Sequence, residues 1–169
     1  MIRSMMLVVS VIALTVLLFV LPSAFGDDPA TKSTKQDNLR FSKAEYLQAT
    51  SSGQKRAGRP VKGTLVFDSE KRNITFLQES GSPALSIRYD AIKNMTYEKA
   101  SKPRYAEAVL ISPLFLLSNS KKHYLTFQYT DESGEGKYAI VHLDKKNARE
   151  AVACAEAQTS KKVEQIDEK

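Results

Sequence analysis

The 169-residue chain has one cysteine, two histidines and no tryptophan. The lone Cys154 excludes an internal disulfide and, because no cysteine follows the N-terminal apolar run, also excludes a lipid anchor there. His123 and His142 have no Cys or carboxylate at ligand spacing, so no metal site is implied. No Ser, Cys or Asp motif announces the partners that His123 would need as a general base. Residues 132–136 carry two glycines, but the spacing is not that of a phosphate cradle and no helix follows. They read as a hairpin loop, and neither a cofactor nor an enzyme is expected.

An acidic excess is also missing: 25 Lys/Arg against 19 Asp/Glu give a formal charge of +6. Seven Lys/Arg face four Asp/Glu between Asp27 and Arg59. The basicity therefore reads mostly as linker and not as a binding face, and no nucleic-acid partner is expected.

What is present starts with an export signal. Arg3 precedes a nearly unbroken apolar run over residues 5–21, and Ala24 and Gly26 fit the small-residue positions of a signal-peptidase site. Residues 1–26 are expected to be cleaved, with an uncleaved anchor through residues 5–21 as the alternative. Export would place the chain in the periplasm or outside the cell. Residues 27–59 have the composition of a disordered tether, apart from a capping-box pattern at Ser42 and Glu45 that suggests a short helix carrying Tyr46 and Leu47.

A domain is expected over residues 60–160. Leu65 and Phe67, then Ile74 and Phe76, then Leu85, Ile87 and Tyr89 alternate as strands do. Breakers at residues 79–83 separate the second strand from the third. Asp90 and Ala91 interrupt the third, Ile92 plugs the core at the corner, and residues 93–99 form a fourth strand. Pro113 divides the apolar tract 106–117 into a strand and a turn or buried loop.

Residues 121–144 form the last hairpin. A two-residue turn at Ser133 and Gly134 would set Leu125 opposite His142. The alternative sets Leu125 opposite Leu143 and Phe127 opposite Val141, turns His142 to solvent, and is preferred because it buries no unpaired imidazole. Asp144 then caps a helix whose buried stripe is Ala148, Ala151, Val152 and Ala155. Cys154 reads as a small buried hydrophobe, and residues 161–169 as a disordered charged tail.

The fold class expected is mainly β, with about seven antiparallel strands and one C-terminal capping helix. The runs Gly63-Thr-Leu-Val-Phe67, Ile87-Arg-Tyr-Asp-Ala-Ile92, Tyr97, Lys122-His-Tyr-Leu-Thr-Phe127 and Leu143-Asp-Lys-Lys-Asn147 resemble a group of exported bacterial proteins. More loosely, they resemble pleckstrin-homology-like and GRAM-type domains. The resemblance covers about residues 61–160 and implies a β-barrel or sandwich closed by the helix. The helix departs from the pattern, since larger apolar residues are expected near Val152 and Ala155.

Members of this superfamily often bind phosphoinositides, peptides or proteins, and few are enzymes. The lipid site does not carry over: Lys62, Lys71 and Arg72 lack the further spaced basic residue. The resemblance implies a non-enzymatic binding module with a protein or peptide partner in the bacterial envelope. The alternative is a peripheral binder of an anionic membrane surface. It would insert Leu114, Phe115 and Leu116, flanked by Lys102, Arg104, Lys121, Lys122 and His123. A buried tract is preferred, because contiguous exposed apolar patches are uncommon on soluble monomers.

Overall fold

The structure is a computed structural model that describes residues 38–47, 59–106 and 120–167. These form one mixed sheet of eight strands and a single α-helix, a mainly β fold. The strands are β1 (Leu39–Leu47), β2 (Val61–Asp68), β3 (Asn73–Gln78), β4 (Pro83–Arg88), β5 (Ile92–Ala100), β6 (Lys122–Thr130), β7 (Gly136–Leu143) and β8 (Val163–Asp167). Helix α1 (Ala148–Thr159) lies between β7 and β8 in sequence. The order across the sheet is β4-β3-β2-β1-β7-β6-β5-β8. All neighbours are antiparallel except β5 and β8, which run parallel.

Alternation explains the first hairpins. Leu65 and Phe67 lie opposite Phe76 and Ile74, and Ile74 lies opposite Ile87, so their side chains share one face and all are buried. Pro83 opens β4, a position where its missing N–H is tolerated. A 3-10 turn at Tyr89–Ala91 then swings Ile92 into the core. On the same face Met95, Leu125, Phe127 and Val141 meet Ala151, Val152 and Ala155 of α1. The small helix residues permit this close approach, and Ala151 and Ala155 are fully buried.

Three expectations are corrected. Residues 39–47 are not linker or helix but a strand between β2 and β7. The capping-box pattern at Ser42 and Glu45 falls on a bulge between Phe41 and Ala44, where the strand departs from simple alternation. Residues 163–167 of the charged tail are also a strand: β8 pairs with β5 through backbone groups, and Val163 is buried. Asp144 does not cap α1 with its side chain. Its Oδ1 accepts from Lys146 N at 2.9 Å, while its carbonyl accepts from Asn147 N and Ala148 N.

The hairpin β6–β7 has the preferred faces but not the preferred partners. Leu125 lies opposite Val141 and Phe127 opposite Ala139. This is displaced by two residues from the expected pairing, and an even displacement leaves the faces unchanged. The loop follows from Asp131, whose Oδ1 accepts from Ser133 N, Ser133 Oγ and Glu135 N, with Gly134 at a positive φ of 84°. The opposite face has its own cluster. Leu47, Ala106, Tyr124 and Ile140 are buried there, and Tyr105 stacks on Tyr138 with ring centroids 4.8 Å apart.

Candidate anion-binding site

Four separated parts of the chain deliver cations to one end of the sheet. Lys99 near the end of β5 lies opposite His123 near the start of β6. Leu143 at the end of β7 also lies opposite His123, so the chain leaving β7 brings Asp144 and Lys145 alongside. Lys43 arrives from the β1 bulge with φ of 56°, a left-handed backbone that costs a non-glycine residue about 1 kcal/mol. The Asn147 side-chain amide holds this bulge against the start of α1 by donating to the Ser42 carbonyl at 2.9 Å. The result is a cleft of about 370 Å³ lined by Lys43, Lys99, Lys121, Lys122 and Lys145 around the two histidines. Among the described residues, no carboxylate lies within ion-pair distance of Lys43, Lys99 or Lys145.

A larger cleft of about 800 Å³ adjoins it, sharing Lys99, His123 and Lys145 and adding Tyr97, Arg149 and Glu156. The Tyr97 hydroxyl lies 2.5 Å from His123 Nδ1, and the two rings stack with centroids 6.0 Å apart. Burial holds the His123 pKa below its ordinary 6.5, with Lys99, His142 and Lys145 pushing it the same way and Asp144 opposing them. The imidazole therefore sits in a positive field. Lys145 and Arg149 also flank the start of α1, where the helix dipole disfavours cations.

On the other face a row of polar side chains crosses four strands. Glu98 lies opposite Tyr124, Tyr124 opposite His142, and His142 opposite Glu45. Tyr124 is fully buried, and its hydroxyl has no hydrogen-bond partner among the described residues. Its pKa is pushed up to about 12, by burial first and then by Glu98 and Glu45. His142 is not turned to solvent: its Nδ1 lies 3.1 Å from Glu45 Oε2, and its side chain is 22% exposed. The expectation failed because it lacked β1, the strand that brings Glu45 alongside.

Of the residues singled out in the sequence, Lys121, Lys122 and His123 line the smaller cleft. Lys102 and Arg104 are exposed on the turn after β5, where Arg104 N donates to Glu98 Oε1 at 2.8 Å. Neither lines the basic clefts. Leu114, Phe115 and Leu116 lie outside the described residues, as do the signal peptide or anchor and the rest of the linker beyond 38–47 and Arg59. No helix among the described residues is long and apolar enough to cross a membrane.

Sequence reasoning missed Lys43, Lys145 and Arg149. Lys43 was assigned to linker, although the cations opening α1 against its dipole were a readable signal. The sequence matches no family model and no curated protein. What the arrangement can do chemically is hold anions, and take up or release a proton at His123.

Proposed function

We propose that the chain is an exported, non-enzymatic binding module that takes an acidic segment of a protein partner at the basic end of its sheet. One observation carries the reading: Lys43, Lys99, the adjacent Lys121 and Lys122, and Lys145 come from four separated parts of the chain and line a single cleft. Gathering like charges costs free energy that a bound anion offsets. Each exposed charge contributes only about 0.2–1 kcal/mol, so affinity comes from number, and the shared field steers the partner's approach. Strands followed by a closing helix are consistent with the pleckstrin-homology-like class, whose members mostly bind and seldom catalyse. The N-terminal apolar run and small-residue site support a setting in the bacterial envelope.

The test is binding of a labelled hexaglutamate peptide to the purified chain, followed by fluorescence anisotropy at low and high salt. The variant K43Q/K99Q/K145Q is expected to bind about tenfold more weakly, as three lost contacts of about 0.5 kcal/mol each imply. Salt is expected to erase much of the difference. Equal affinity of the variant and the parent chain overturns the reading. Flotation on anionic vesicles without peptide binding replaces it with the membrane-surface alternative.

A further inference from the structure

We propose that the larger cleft, between α1 and the ends of β5 and β6, seats a carboxylate of the acidic ligand, and that His123 takes up a proton as that group enters. The inference rests on the acidic-partner reading and assigns it a point of contact.

The geometry of the Tyr97–His123 pair supplies the coupling. In the neutral imidazole with its proton on Nε2, the Tyr97 phenol donates to Nδ1 across their 2.5 Å contact. In the imidazolium, Nδ1–H donates back to the phenol oxygen, and the phenol O–H is released to another acceptor. Uptake of one proton thus adds a positive charge and turns the Tyr97 O–H away from His123, in a cleft that Arg149 and Lys99 also line. The cleft volume of about 800 Å³ is in the range of ligand pockets and has room for more than one side chain.

The charges around His123 favour this exchange only when an anion is present. Lys99 and Tyr97 face it from β5, Lys121 and Lys122 from the start of β6, and His142 from β7. Asp144 and Lys145 follow β7, Lys43 comes from β1, and Arg149 and Glu156 come from α1. Of these, Lys99, His142 and Lys145 add to burial in holding the His123 pKa down, and Asp144 opposes them. In the free protein this field repels the additional proton. A seated carboxylate cancels part of it, and binding and protonation then favour each other reciprocally.

The experiment follows the His123 ring by NMR across pH, with and without hexaglutamate, in the parent chain and in R149Q. The expected result is a rise in the His123 midpoint of about one unit, corresponding to a peptide that binds the imidazolium about tenfold more tightly. R149Q is expected to shrink that rise. Peptide binding that leaves the midpoint unmoved overturns the inference and leaves the basic end as the docking surface. Absence of peptide binding instead removes the functional reading beneath it. Inorganic phosphate, run as a separate arm, overturns the carboxylate assignment if it alone raises the midpoint.

Discussion

Glu45 on β1 and His142 on β7 face each other, Oε2 to Nδ1 at 3.1 Å, in one of three residue pairs that join the two halves of the sheet. The others are Tyr46 with Val141 and Leu47 with Ile140. On one side of this joint lie β2, β3 and β4, and on the other β6, β5 and β8. All four hydrophobic members of the joint are buried, so its strength comes mainly from packing. The polar pair sets its edge.

Removing that pair is therefore expected to weaken the fold modestly. Both side chains remain partly exposed, at 22% and 26%, and pairs of this kind contribute about 0.5–1 kcal/mol. Urea unfolding of Glu45→Gln, His142→Gln and the double variant isolates the term. A coupling of about 0.5 kcal/mol or more is expected. Strict additivity would show that the two side chains only pack.

A larger effect is expected at Gly63, which lies opposite Gln78 of β3. A Cβ built there would stand 1.9 Å from the Leu77 carbonyl oxygen and 2.8 Å from Phe76 Cε1. The first obstacle is backbone in a paired strand, so it cannot swing aside as a flexible side chain would. Gly63→Ala is expected to cost about 3 kcal/mol or more, read as a lowered urea midpoint or loss of soluble protein. A cost below about 1 kcal/mol would show that β2 and β3 can separate locally.

How much of this was legible varies by residue for physical reasons. Leu65, Phe67, Ile74 and Phe76 announce their strands because one face is buried and alternation records it. β1 was hidden by its bulge, which breaks the alternation between Phe41 and Ala44 and left the capping-box pattern at Ser42 and Glu45 as the local signal. β8 was hidden because a strand paired through its backbone needs few apolar side chains, and of residues 163–166 Val163 alone is buried. The basic end was half legible. Lys121, Lys122 and His123 adjoin in sequence, whereas Lys43 and Lys145 meet them only through the strand order.

Cys154 was readable as a buried hydrophobe, and its chemistry follows. It is buried on α1, and its thiol is pushed up to about 11, by burial first and then by Glu150. It is expected to resist a disulfide reagent at mildly alkaline pH in the native chain and to react at the rate of a free thiol in denaturant. Rapid native labelling would mean that α1 opens readily from the sheet. Cys154→Ser is expected to cost about 1–3 kcal/mol, because it buries a hydroxyl, and Cys154→Ala less.

His123 makes stability depend on pH, and the sign follows from the direction of its shift. Its folded pKa lies below 6.5, through burial first and then Lys99, His142 and Lys145, while the unfolded chain titrates near about 6.5. Between those two values the unfolded state binds more protons, so stability rises with pH across the window. The contribution is fully present above about 6.5 and is lost as pH falls through the folded value. His123→Gln is expected to flatten this part of the profile, measured as urea midpoints from about pH 5 to about pH 8. An unchanged slope would assign the dependence to other groups. Lys99→Gln is expected to flatten it partly, because Lys99 is the largest cationic cause of the shift. Hexaglutamate acts on the same slope from the other side: a seated carboxylate raises the folded pKa toward 6.5 and narrows the window. A peptide that binds the basic end without touching His123 would leave the slope intact.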